Sequence, residues 1–121
     1  MIHIPVLMLG GGGHSRVLIN ELFLLGHTIV GILDPAMAIG DTVSGVKVLG
    51  SDSKLSAYQT SEIDLINGIG RLPKNCSRTK LLKERVGSEF NFPAIRSKNA
   101  IVPEDTEISE GVQILSGAVI Q

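Results

Sequence analysis

Gly10-Gly11-Gly12-Gly13, followed at once by His14, Ser15 and Arg16, are the residues of this chain whose types and spacing best suit chemistry. They lie between the apolar run Val6-Leu7-Met8-Leu9 and a helix-like stretch over 17–25. A glycine loop between a buried strand and a helix start lets backbone N–H groups converge on a phosphate, and the helix dipole adds favourable potential there. Counting G-x-G-x-x-G from Gly10 puts Ser15 at the third glycine, and counting from Gly11 puts Arg16 there, so the dinucleotide fingerprint is half met. Asp34 ends the run 28–33 at about the distance where an acidic residue meets a ribose hydroxyl in βαβ nucleotide folds.

The candidate site follows from these positions. Gly10, Gly12, Gly13 and His14, with Ser15 beside them, would cradle a phosphate or sugar; Asp34, with Pro35 after it, would accept from ribose or base. Asn67, Gly68, Ile69, Gly70 and Arg71 would form the other wall. The competing account of the same residues is a tight turn that needs glycine conformations and an Asp that caps the next loop. His14 would donate to a diphosphate or touch the sugar, or else only order the loop; no partner base for proton transfer is evident. No residue is assigned a catalytic or metal-binding role.

Composition narrows the classes. The 121 residues suffice for one folded core, and a formal net charge of -1 removes the general electrostatic case for nucleic acid or an anionic membrane. Lys74, Arg78, Lys80 and Lys83, opposed by Glu84, read as the solvated face of a helix. The absence of Trp and an aromatic content of 3% argue against base-stacking platforms for single strands. The single Cys76 excludes an intramolecular disulfide and a cysteine-cluster metal site, and it has no activating neighbour in sequence. With no secretory start and no long apolar span, a cytoplasmic location is expected.

Hydrophobic runs alternate with amphipathic stretches, the order of a parallel sheet with crossover helices. The pattern predicts strand 3–9, helix 14–25, strand 28–33, a loop to about 45, strand 46–49, helix 52–58, strand 63–67, helix 74–86 and strand 90–95. Leu18, Leu22 and Leu25 form the inner stripe of the first helix, Gly26 stops it, and Ser51 or Asp52 caps the second. All three candidate loops then fall at carboxyl ends of strands, where open α/β sheets bind ligands.

From Ala100 onward the period is six. Val102, Ile108, Ile114 and Ile120 form one row, and Thr106, Val112 and Ala118 a second row of compact residues. A bulky aliphatic and a small residue per hexapeptide mark a parallel β-helix, three hexapeptides to a coil. Coils of this kind bury their apolar surface only against stacked neighbours. The last repeat is interrupted at Gln121, which reads as part of a longer chain.

With both halves in view, the sequence resembles the N-terminal part of the sialic-acid O-acetyltransferase family, whose relatives include N-acetyltransferases of nucleotide-linked 4-amino sugars such as bacillosamine and perosamine precursors. The resemblance is carried by Gly10-x-Gly12-Gly13-His14-Ser15-Arg16-Val17, by Leu33-Asp34 and by Gly40-x-x-Val43-x-Gly45-Val46-x-Val48-Leu49-Gly50. Ile66-Asn67-Gly68-Ile69-Gly70, Phe92-Pro93-Ala94-Ile95 and Ser116-Gly117-Ala118-Val119-Ile120 extend it over essentially the whole chain. Pro35 stands where many members carry a second Asp, and Arg96-Ser97-Lys98 where many read His-Pro-Ser.

The resemblance implies an α/β, Rossmann-like nucleotide-sugar-binding domain over 1–95, followed over 96–121 by the first coil of a left-handed β-helix. It implies an acetyltransferase acting on a nucleotide-linked amino sugar or sialic acid in surface polysaccharide or glycan synthesis, with the nucleotide-linked sugar held by the α/β domain. Acetyl-CoA, the co-substrate, would lie between β-helices of a homotrimer, mainly outside these residues. The general base in that scheme is a His of a later coil, to which none of His3, His14 and His27 corresponds, so the chain alone is expected to be inactive. A non-enzymatic nucleotide-binding module and a fragment of an NAD-dependent oxidoreductase are the alternatives.

Overall fold

Val6–Leu9 (β1) is an unbroken apolar run because it is covered on both faces, the signature of a central parallel strand. The computed structural model describes residues 4–69 and 89–120. In it β1 lies between Ile29–Leu33 (β2) and Asp64–Asn67 (β5), parallel to both. Val46–Gly50 (β4) pairs in parallel with β2, and Thr42–Val43 (β3) closes that side as an antiparallel edge, giving the order β3-β4-β2-β1-β5. The two-residue period separates the core into two halves. Val6 and Met8 pack with Leu18, Ile19 and Leu22 on one side, and Leu7 and Leu9 pack with Leu55, Leu65 and Phe92 on the other.

Gly13–Leu24 (α1) supplies the first layer, with Leu18 and Leu22 fully buried as expected and Leu25 partly buried. Its buried stripe also takes in Ser15, Ile19 and Glu21. The helix ends where foreseen: Gly26, at φ +83°, sends its N–H to Phe23 while His27 reaches back to Leu22, a Schellman closure that only glycine enters cheaply.

Three expectations are corrected. Residues 52–58 do not form an α-helix; Asp52–Ala57 wind as a 3-10 helix, in which Ser56 Oγ bonds back to the Ser53 carbonyl in competition with the helical ladder. The loop expected up to residue 45 contains β3, joined to β4 by Ser44-Gly45 with both φ positive (48° and 84°), the two-residue hairpin geometry. The strand expected over 90–95 is only grazed by the sheet, where Leu65 N–H donates to the Asn91 carbonyl. Pro93 has no N–H to give, Phe92 N–H is taken by Glu110 Oε1, and Ile95–Arg96 (β6) pairs instead with Gln113–Ile114 (β7). The helix expected over 74–86, with its basic face and Cys76, lies outside the described residues.

The six-residue period of the tail is realised as a coil. Ile95 opposes Gln113, Arg96 opposes Ile114 and Ile101 opposes Val119, always in parallel and always eighteen residues apart, which is three hexapeptides. Ile114 is buried among the core, Val102, Ile108 and Ile120 are half-buried, and Val112 is the exposed member of the second row.

Candidate functional site

The carboxyl ends of four strands meet over one cleft of about 310 Å³. Leu9, Gly10, Gly11 and Gly12 line it after β1; Leu33, Asp34 and Pro35 after β2; Asp52 after β4; and Gly68 and Ile69 after β5. Of the residues expected at a site, Gly10, Gly12, Asp34, Pro35, Gly68 and Ile69 are therefore brought together. Gly13, His14, Ser15 and Asn67 stand behind or beside the wall, and Gly70 and Arg71 fall outside the described residues.

The glycines do two different things. Gly10 has φ +92°, and a Cβ there would come within 3.3 Å of Ile69 and Gly68; a Cβ on Gly68 would come within 2.9 Å of the Met8 sulfur, Ser15 Oγ and the Gly10 carbonyl. The β1 and β5 loops thus touch backbone to backbone. Ser15, at the third-glycine position, is fully buried, and its hydroxyl lies 2.6 Å from the Gly10 carbonyl and 3.2 Å from that of Gly68, stapling the two loops. Gly12 and Gly13, by contrast, have no described atom within 4 Å of where a Cβ would stand. Among the described residues no side chain caps the first turn of α1, so the positive end of the helix opens at Gly12 on the cleft wall.

Asp34 performs the turn-capping role that sequence left as the alternative: Oδ1 accepts from Ala36 N–H (2.9 Å), and Oδ2 accepts from Gly11 N–H (3.0 Å), clamping the glycine loop to the end of β2. A carboxylate accepts about four hydrogen bonds, and among the described residues Asp34 accepts these two. Asp52 brings a second carboxylate to the wall. The sequence pattern offered it only as a helix cap; what places it on the cleft is its position after a parallel strand, the one signal that would have found it. The cleft thus joins carboxylates, suited to hydroxyl or ring N–H donors, with a helix N-terminus suited to an anion.

His14 points elsewhere. Its Nε2 lies 2.9 Å from Gln113 Oε1, and Gln113 Nε2 donates to the Asn67 carbonyl at 2.9 Å. Glu21 makes a second tie to the tail. Its Oε1 accepts from Ser116 N–H at 2.9 Å and from Ser116 Oγ, whose hydroxyl partner is Ser97 Oγ at 2.9 Å. These bonds, those from Ser116 foremost, hold the Glu21 carboxyl below its ordinary range against the opposing effect of burial. At the far end of β5, burial pushes the Asp64 carboxyl up, partly offset by Asn91. Among the described residues no group of three or more His, Cys, Asp or Glu side chains could hold a metal ion, and no helix is long and apolar enough to cross a membrane.

Fold and cleft together define a Rossmann-like α/β domain with a β-helical coil attached. Residues 5–84 match the PglD N-terminal domain family, and the chain belongs to that family. Among solved structures, PerB from Caulobacter crescentus in complex with CoA and GDP-perosamine is similar over 97% of this chain, at 31% identity and a TM-score of 0.77. The acetyltransferase domain of PglB from Neisseria gonorrhoeae FA1090 in complex with acetyl coenzyme A aligns over 96%, at 23% identity and a TM-score of 0.76, a likeness of fold. The chain spans 54% of the length of the first and 55% of the second. A search of curated proteins finds no match.

Proposed function

We propose that this chain is the nucleotide-sugar-binding portion of an acetyl-CoA-dependent acetyltransferase that acts on a nucleotide-linked amino sugar in surface polysaccharide or glycan synthesis. The observation that carries this reading is the cleft at the carboxyl ends of β1, β2, β4 and β5, where an uncapped helix N-terminus and the Asp34 carboxylate face one space. The likeness to PerB, a structure containing CoA and GDP-perosamine, supports it. In this reading Gly10, Gly12 and Gly13 form the phosphate and sugar side, with His14 turned behind it toward Gln113. Asp34 accepts from ribose or base beside Pro35, and the segment from Asn67 to Ile69 forms the opposite wall.

Acetyl-CoA is assigned to no residue here, because the described coil offers little more than one stacked pair of rungs, at 95–96 on 113–114 and 101 on 119. The three histidines lie at positions 3, 14 and 27, none of them in the coil. Turnover by these residues alone is accordingly not expected. A boundary near residue 95, a homotrimeric assembly and a cytoplasmic location belong to the same proposal. Calorimetric titration with UDP- and GDP-linked 4-amino sugars and with NAD is the test. Tighter binding of a sugar nucleotide than of NAD is expected, and the reverse order would end the acetyltransferase reading.

A further inference from the structure

One side chain of the coil reaches the loops that form the cleft. Gln113, on β7, stands between the start of α1 and the end of β5, with its Nε2 donating to the Asn67 carbonyl and its Oε1 facing His14 Nε2, each at 2.9 Å. A backbone carbonyl only accepts, so the amide NH₂ must face Asn67 and the amide oxygen must face His14. An amide oxygen also only accepts, so His14 Nε2 must carry the proton. Donation therefore runs in one direction, from His14 through Gln113 to Asn67.

Both ends of this relay adjoin the cleft. His14 immediately follows the open pair Gly12-Gly13. Asn67 turns the chain after β5, its Oδ1 accepting from Ile69 N–H at 2.9 Å, and so delivers Gly68 and Ile69 to the wall. Gln113 itself does not line the cleft.

We infer that Gln113 is a positioning residue: it sets His14 with its proton on Nε2 and holds the glycine loop and the Asn67 turn at one separation. Ligand affinity then depends on a coil side chain that the ligand does not touch. The identity of the ligand rests on the nucleotide-sugar reading above; the tautomer rests on hydrogen-bond geometry alone.

The test is nitrogen NMR of the His14 ring, with calorimetric titration of the same samples with a UDP- or GDP-linked 4-amino sugar. In the unaltered chain Nε2 should be the protonated nitrogen. Gln113→Leu should lower the share of the ring protonated on Nε2 and weaken binding about tenfold, the scale of one neutral hydrogen bond. Gln113→Glu keeps an acceptor toward His14 but sets an oxygen against the Asn67 carbonyl, so it should keep the Nε2 proton and still lose affinity. Ser116→Ala, which loosens the tail at Glu21 instead, should leave the His14 ring as it was. An unchanged ring in Gln113→Leu, or the same change in Ser116→Ala, would overturn the inference. If no sugar nucleotide binds the unaltered chain, the proposed function fails, and the ring spectra still decide the role of Gln113.

Discussion

The two sides of α1 are built on opposite plans. Among the described residues, its N-terminal end has no side-chain cap and nothing within 4 Å of where a Cβ on Gly12 or Gly13 would sit. Along its flank toward the coil, polar groups are spent on one another, as Glu21 is on Ser116 and Ser97. Among the described residues, space and unspent hydrogen-bonding capacity suit the first region to the ligand proposed above, whereas mutual satisfaction marks the second as a joint. The cleft floor combines the two plans, since its glycines Gly10 and Gly68 are packed against each other and held by Ser15.

That contrast is most severely tried at the floor. Gly68→Ala should destabilise the chain by about 3 kcal/mol, the upper range for overpacking, because its Cβ would strike Met8, Ser15 and the Gly10 carbonyl together. Denaturant unfolding measures it; a loss under about 0.5 kcal/mol, the range of neutral surface changes, would mean the two loops are not in backbone contact.

A smaller loss is expected at the joint. Glu21→Ala removes a charged acceptor from Ser116 and should cost about 2 kcal/mol, within the range for hydrogen bonds to charged groups. The joint should also respond to acid. The folded carboxyl lies below its ordinary value of 4.5, so its contribution is complete above that pH and is lost as pH falls through the lower folded value. Glu21→Gln should flatten this part of the stability profile, while sugar-nucleotide affinity at neutral pH should stay put. An acid limb identical in the Gln variant would remove Glu21 from the account.

The least effect on folding is expected at the bare end. Gly12→Ala places a methyl in open space at φ −80°, which alanine adopts, so the melting temperature should hardly move. If a phosphate approaches the backbone there, affinity should fall about tenfold, equivalent to one lost hydrogen bond. Unaltered affinity would move the ligand away from the glycine loop.

What the sequence conceals differs between these regions. The buried strands and α1 were legible because full coverage writes itself as an apolar run, and a helical stripe as Leu18 and Leu22. The strand at 90–95 misled because Phe90 and Phe92 are buried two residues apart, as in a strand, although Pro93 cannot join a ladder and Glu110 claims Phe92. The hairpin at Ser44-Gly45 was passed over because β3 has only two residues. In the site, the loops after β1, β2 and β5 were foreseen from the rule that places ligands at carboxyl ends, and the same rule extended to β4 would have added Asp52. Glu21 and Gln113 had no such rule, since the partners Ser116 and His14 lie 95 and 99 residues away in sequence.

The small hairpin has a consequence for how copies of this protein meet. Along the outer margin of β4, β3 covers Val46 and Lys47, and beyond it Val48 gives its N–H to Asp41 and accepts from Gly40. The margin is thus sealed by its own preceding loop, and what β3 shows to solvent is two residues long, too short to set the register of an incoming strand. On this side the sheet resists being continued by a neighbouring molecule. Crowded or freshly synthesised chains are thereby protected from edge-to-edge aggregation at β4, a safeguard supplied by a turn of two residues.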